Sequence, residues 1–234
     1  MNQAVIKEYQ DFAREKLGFE FEQPELLITA LTHRSYVNEH KKQHLEHNER
    51  LEYLGDAVLE LVVTDYLYRN FNEAEGTLTA WRSALVRTES IGAAGDELGY
   101  APLVRLSKGE QHNSDRARAV ILADCFEAVI GATYLDQGYE TAKRIIDQHI
   151  LTRFHEIIEQ ETWRDPKSHL QEITQKIDGS TPVYRTLKDE GPDHNKTFTV
   201  GVYVGNHLMG TGVGHSKQEA QGNAALEAIK RYQR

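Results

Sequence analysis

The feature that most constrains this chain is a change of hydrophobic period near residue 160. From Met1 to about Ile158 apolar residues recur at spacings of three and four, with scarcely an alternating run, which is the pattern of helices that each bury one face. The spacing predicts helices over about 3–17, 24–31, 48–70, 78–86, 88–98, 116–136 and 139–158. A polar loop is expected from Tyr36 to His47, and a Gly-punctuated segment from Gly99 to Asp115. The first region, residues 1–158, therefore reads as all-helical.

After a polar stretch that serves as a linker over 159–164, the pattern changes class. Asp165-Pro166 is a helix start: the Asp side chain accepts from free backbone donors, and Pro sits where a missing N–H costs nothing. That helix should reach about Ile177. VYRTLKDE, KTFTVGVYVG and HLMGTGVG then alternate as strands do, and Gly205-Asn206 is a two-residue hairpin signal between the last two. Ser216 with Glu219 three residues on forms a capping box that opens a last helix ending near Tyr232. Residues 165–234 thus read as α-β-β-β-α.

Charge divides the same way. The chain carries 27 Lys+Arg and 36 Asp+Glu, net −9. Residues 165–234 hold 9 basic and 8 acidic side chains, so residues 1–164 carry a net −10. Taken alone, such acidity argues against a polyanionic partner. The single Cys125 excludes an internal disulfide and suits a reducing compartment. No apolar run approaches the roughly 20 residues of a membrane helix, and the first residues mix charge into every turn. A cytoplasmic protein is expected.

Two acidic clusters stand out. On NERLEYLGDAVLELVV at about 100° per residue, Glu49, Glu52 and Asp56 fall on one stripe, opposite Leu51, Leu54, Val58, Leu61 and Val62. Glu46 and Glu60 extend that stripe, as they would on a plain solvated face. The second cluster is harder to explain as surface. In VILADCFEAVIGATYL the only ionisable groups besides Cys125 and Tyr134 are Asp124 and Glu127, on a helix apolar on every side. Such a helix is buried, and its two carboxylates, at i and i+3, would project together into the interior. Either a salt bridge compensates them, from Arg82, Arg87 or Arg116, or a hard divalent cation such as Mg2+ does.

NERLEYLGDAVL closely resembles the signature helix of the ribonuclease III family, and ILADCFEAVIGATYLD resembles its second acidic helix. ALTHRS (30–35) and WRSALV (81–86) resemble the flanking segments, in family order along nearly the whole chain. The resemblance implies an all-α endonuclease domain (1–158) followed by a small α+β double-stranded RNA-binding domain (165–234). It implies Mg2+ held by Glu52, Asp56, Asp124 and Glu127, with Mn2+ as a substitute, and Asp56 and Glu127 as the catalytic pair. Glu49 and Glu75 match assisting acids. The implied reaction is hydrolysis of phosphodiesters in double-stranded RNA to 5′-phosphate and 3′-hydroxyl ends, by a homodimer in which Tyr53 matches an interface aromatic. Bound cations would acidify a water, neutralise developing charge, and let an acidic domain meet a polyanion.

SHLQEITQ, GPDH, KTFTVGVYV and GTGVGHSKQEAQGNAA resemble a double-stranded RNA-binding domain. That resemblance implies that Gln171 and Glu172 reach minor-groove 2′-hydroxyls, His194 a neighbouring minor groove, and Lys217 the phosphates between. The chain departs from the family with Gln218 where a second lysine is usual and Gln221 where Glu is common. His33 and Arg34 are read either as substrate contacts or as a loop or cap. His40, His44 and His47 are read as a solvated loop, although 40 and 44 have the spacing of helical metal ligands. Cys125 is read as a small core residue. Two other classes remain open: a protein that holds duplex RNA without cutting, and a phosphohydrolase of small molecules.

Overall fold

The computed structural model describes residues 2–112, 114–159, 163–192 and 196–232. The chain separates into two compact units, Met1–Trp163 and Arg164–Arg234.

The first unit is helical throughout: α1 (Gln3–Phe12), α2 (Pro24–Ala30), α3 (Arg34–Glu39), α4 (Glu49–Asn70), α5 (Glu75–Leu85), α6 (Thr88–Leu98), α7 (Asp115–Gln137), α8 (Tyr139–His149) and α9 (Phe154–Glu159). Helix α7 lies at its centre, with α4 and α6 packed along it and α2 and α8 against its C-terminal half. It is buried from Ile121 to Thr133 except at Asp124 and Glu127, as an all-round apolar helix must be. Its last turn also closes α2. Asp136 accepts from the backbone N–H groups of Glu22 (2.9 Å) and Gln23 (2.8 Å), supplying a cap that Gln23 does not make for itself.

Several boundaries differ from the sequence expectation. The 3–17 helix ends its regular part at Phe12 and closes in a π turn over Ala13–Leu17. The expected loop from Tyr36 to His47 contains most of α3, which is short because its start is fixed by a His33 cap and not by a long apolar period. Helix α5 begins at Glu75, ahead of the apolar signal at Leu78. The single helix expected over 139–158 is two, separated by a 3-10 turn at Leu151–Arg153. That tighter turn keeps Ile150, Leu151, Phe154 and Ile157 all in the core, which one continuous helix axis need not do.

The second unit runs α10 (Pro166–Asp178), β1 (Val183–Glu190), β2 (Thr197–Val204), β3 (His207–Gly214) and α11 (Lys217–Tyr232), with an antiparallel sheet in the order β1-β2-β3. Asp165 caps α10, its Oδ1 accepting from Ser168 N at 2.9 Å. Gly205 takes a φ of 57° at the hairpin, the residue a two-residue turn demands there. The capping box forms with one change: Glu219 N donates to Ser216 Oγ at 3.1 Å, while the Glu219 carboxylate accepts from His215 N at 2.9 Å and not from Ser216.

Alternation in β3 places Gly210, Gly212 and Gly214 toward α11. A Cβ on Gly210 would stand 2.8 Å from Ala228 N, and one on Gly214 2.7 Å from Ala220 N. The strand therefore lies flush on the alanine face of the helix, Ala220, Ala224 and Ala228, all fully buried.

Candidate active site

The acidic residues of α4 and α7 meet because the two helices cross at glycines. A Cβ on Gly55 would coincide with the carbonyl of Glu127 and lie 2.9 Å from Gly131 N, and one on Gly131 would run into Leu51 O. With neither Cβ present, the backbones touch, and the residues flanking the crossing are drawn together: Glu52 and Asp56 from α4, Asp124 and Glu127 from α7. Small residues permit such close approach wherever helices pack.

The charges register this proximity. Burial pushes the Glu52 carboxyl up to about 7, reinforced by the negative charges of Asp124, Glu49 and Asp56. Burial likewise pushes Glu127 up to about 8, reinforced by Asp56, Glu52, Asp124 and Glu60. Asp124 is raised by burial and by Glu49, against the opposing influence of His33. Desolvation and like charge act in the same direction here, since both disfavour the ionised form.

Asp124 and Glu127 are half-buried at the rim of the crossing, not projected into the interior as helix polarity alone suggested. Nor does a salt bridge compensate them: among the described residues, no ion pair reaches Glu52, Asp56, Asp124 or Glu127. Arg82, one of the candidate partners, pairs instead with Glu60 at 3.0 Å. Among the described residues no three His, Cys, Asp or Glu side chains are already placed to coordinate one ion.

Glu49 belongs to the same neighbourhood but differs in having a cationic partner, Arg34 at 3.2 Å, with the His47 ring Nδ1 at 3.8 Å from its other oxygen. Glu75, by contrast, opens α5, where its carboxylate accepts from Thr79 Oγ1 at 3.5 Å. It is absent from the charges that act on Glu52, Asp124 and Glu127.

His33 caps α3: its Nδ1 accepts from Ser35 N at 3.2 Å and lies 2.8 Å from Ser35 Oγ. His40 ends α3, stacked on Tyr36 with ring centroids 4.0 Å apart, and His44 follows in the left-handed region. The two are therefore not on one helix face, and the metal-ligand spacing has no structural counterpart. Cys125 is fully buried, its thiol pushed well above the usual range by burial, and Asn48 Nδ2 donates to its sulfur at 3.8 Å. That contact ties the start of α4 to α7 between the two α7 acids. Asn48, Gly55 and Gly131 went unread in the sequence, although two glycines inside long helical runs are a signal of close packing.

Tyr53, next to Glu52, is 81% exposed. With Leu61 (57%) and Tyr68 (77%) it forms an apolar face on α4, and Val120, Tyr134 and Leu135 are exposed on α7. Leu61 is thus exposed although the helical wheel puts it on the apolar side of α4.

In the second unit Gln171 and Glu172 are exposed on α10. Lys217 starts α11, its Nζ 5.8 Å from the centroid of the Phe198 ring. Gln221 accepts from Lys167 Nζ at 2.7 Å, joining α11 to α10. His194 lies outside the described residues.

Residues 23–154 match the family described as Ribonuclease-III-like, and residues 166–232 match the double-stranded RNA binding motif. A protein of Bacillus cereus named Ribonuclease 3 is 46% identical over 219 residues, 93% of this chain and 89% of its own length. Its namesake in Oceanobacillus iheyensis is 44% identical over 92% of this chain and 94% of its own. The crystal structure of the nuclease domain of ribonuclease III from Campylobacter jejuni, 39% identical, superposes with a TM-score of 0.55 over 62% of this chain and 95% of that one.

Proposed function

The chain belongs to the ribonuclease III family and is an endoribonuclease of double-stranded RNA; we propose that it acts by Mg2+-dependent hydrolysis, leaving 5′-phosphate and 3′-hydroxyl ends, in RNA processing and decay. The observation that carries the proposal is the meeting of Glu52, Asp56, Asp124 and Glu127 across the glycine crossing, with no ion pair to any of them among the described residues. Four carboxylates, two of them with strongly raised affinity for protons, match the preference of a hard divalent cation for oxygen ligands. These four residues would hold it, and Glu49 would assist from the rim. When bound, Mg2+ supplies charge neutralisation at the scissile phosphate and a more acidic water.

The chain's own residues supply the rest. Asp56 and Glu127, the negative charge of the first adding to the rise of the second, are the pair assigned to the reacting phosphate. Water adds its oxygen to phosphorus and gives up a proton, the bond from phosphorus to the 3′ oxygen breaks, and that oxygen takes up a proton to leave as the 3′-hydroxyl. Asn48 and Cys125 hold the two acidic helices in register behind the site. Glu75 is assigned an assisting role by its motif alone. In the second unit Gln171, Glu172 and Lys217 are assigned to the duplex grooves and phosphates, together with His194.

A homodimer is favoured by the exposed Tyr53, Leu61 and Tyr68, because apolar faces of this kind mark association surfaces. The C. jejuni structure that covers 59% of this chain is described as containing a region involved in dimer formation. No helix among the described residues is long and apolar enough to cross a membrane, and a cytoplasmic location fits.

The test is direct. The purified chain is incubated with end-labelled duplex RNA with and without Mg2+, and the product ends are mapped. Cleavage only with the ion, giving 5′-phosphates, is expected. Duplex bound but uncut across millimolar Mg2+ and Mn2+ would instead identify a protein that only holds RNA.

A further inference from the structure

Arg34 is a cation at the rim of the acidic site, paired with Glu49, and its sequence context leaves open whether it touches substrate or only shapes a loop or cap. We propose that Arg34 is a substrate-binding residue that exchanges its Glu49 partner for a phosphate of the RNA duplex; this rests on the reading above.

Its position is fixed from behind. The chain just before it is stitched to two other segments: His33 N donates to Arg105 O at 3.1 Å, Arg105 N to Leu31 O at 2.8 Å, and Asn48 N to Thr32 O at 2.9 Å. The His33 ring then caps the turn that begins at Arg34. From this anchored backbone the guanidinium reaches Glu49, Nη1 standing 3.2 Å from Oε1, with 64% of the side chain still exposed.

Such a pair adds little to stability, because water screens it. Among the described residues Arg34 holds no other ion pair, so most of its five donors are available. Glu49 does not depend on Arg34 alone, since its second oxygen lies 3.8 Å from His47 Nδ1. A phosphodiester presents two nonbridging oxygens that suit the planar guanidinium fork better than they suit an ammonium. The need for such a contact follows from charge: residues 1–164 carry a net −10, and an RNA backbone must approach their acidic rim.

The experiment measures cleavage of a short labelled duplex by the full-length chain in Mg2+ over a range of KCl concentrations. Arg34→Ala should raise KM by roughly ten-fold with kcat nearly unchanged, and flatten the dependence of log kcat/KM on log salt by about one. Arg34→Lys should keep the slope, because the charge remains. Glu49→Gln frees Arg34 without removing it, and should also keep the slope. Where turnover is too slow, the slope is read from duplex affinity by fluorescence anisotropy.

If Arg34→Ala leaves both KM and slope unchanged, or Glu49→Gln flattens the slope as much as Arg34→Ala does, the proposal is overturned and Arg34 serves only to hold Glu49. Equal melting temperatures for wild type and Arg34→Ala exclude unfolding as the cause of a change. If they differ, Arg34→Lys decides, since a phosphate contact requires it to restore the slope. A wild-type chain that does not cut duplex RNA at all would fail the endoribonuclease reading, a distinct result.

Discussion

The α4–α7 crossing and the β3–α11 face use glycine in the same way and obtain opposite electrostatic results. At the crossing, Gly55 and Gly131 let two helix backbones touch, and the side chains brought together are carboxylates that repel. In the second unit, Gly210, Gly212 and Gly214 let a helix lie on a strand, and the helix side chains brought close satisfy the strand's backbone groups. Glu227 accepts from Thr211 N, Asn223 Nδ2 donates to Val213 O at 2.8 Å, Arg231 Nη1 donates to Leu208 O at 3.1 Å, and Glu219 accepts from His215 N. Spaced four apart on α11, these four close the free edge of β3, which would otherwise invite pairing with another strand. One contact spends its closeness on a reactive centre and the other on a closed surface.

The largest expected effect tests the crossing itself. Gly55→Ala puts a methyl group onto the Glu127 carbonyl, and a backbone on both sides leaves no flexible atom to yield. Overpacking commonly costs about 1–3 kcal/mol, and the loss here should reach or exceed the top of that range. Thermal melts followed by circular dichroism should show the first unit destabilised, and cleavage should vanish. A Gly55→Ala protein with unchanged melting and activity would remove the crossing as the organiser of the site.

Gly212→Ala is the matching change in the second unit, where the new methyl would meet Ala224 N and Ala220 O. Because the two units are separate bodies, duplex affinity should fall severely while Mg2+-dependent cleavage survives at low salt with enzyme in excess. Loss of cleavage under those conditions, with the first unit still folded, would show that the second unit helps to assemble the active complex.

Next in size is the electrostatic cost of the crossing. In EDTA, Glu52 and Glu127 keep their protons up to about 7 and about 8 when folded, against an ordinary 4.5. The folded chain then binds more protons than the unfolded chain between those values, so stability should fall as pH rises through about 4.5 to 8. If the cluster holds Mg2+ as proposed, millimolar Mg2+ should reverse that loss, because an ion that binds the folded cluster and not the unfolded chain stabilises the fold. Glu127→Gln should shrink the pH slope while abolishing cleavage. Melting temperatures that do not change with pH in EDTA would mean the carboxylates do not repel.

Lys217→Ala should weaken duplex affinity uniformly across sequences and flatten its salt dependence by about one. The neighbouring Gln218 cannot replace the lost charge. The smallest effect belongs to Glu227→Ala, which opens the β3 edge at Thr211. Exposed hydrogen bonds of this kind contribute about 1 kcal/mol, and faster hydrogen exchange at the Thr211 amide, with melting nearly unchanged, is the expected signature.

Much of this molecule was legible in its sequence, because helical and strand periods, the Asp165-Pro166 start, the Gly205-Asn206 turn and the Ser216 cap are local codes. Two units, all-helical and then α-β-β-β-α, follow from those codes; Asp124 and Glu127 stand out as carboxylates on an otherwise apolar helix, whereas Glu52 and Asp56 are set apart from a plain solvated stripe only by the resemblance to the ribonuclease III signature. What tertiary structure alone decided was contact across sequence distance. That Gly55 meets Glu127 and Gly131, that Asp124 and Glu127 stand half-buried at a rim without a salt bridge, that Tyr53 faces outward, and that Arg34 rests on Glu49 all depend on where separate elements pack. The same limit explains the break before α9, whose position is set by a core distant from the local pattern. Periodicity specifies which face of an element is apolar, but the partner of that face is chosen by the whole fold, where the close-packed arrangement excludes water best.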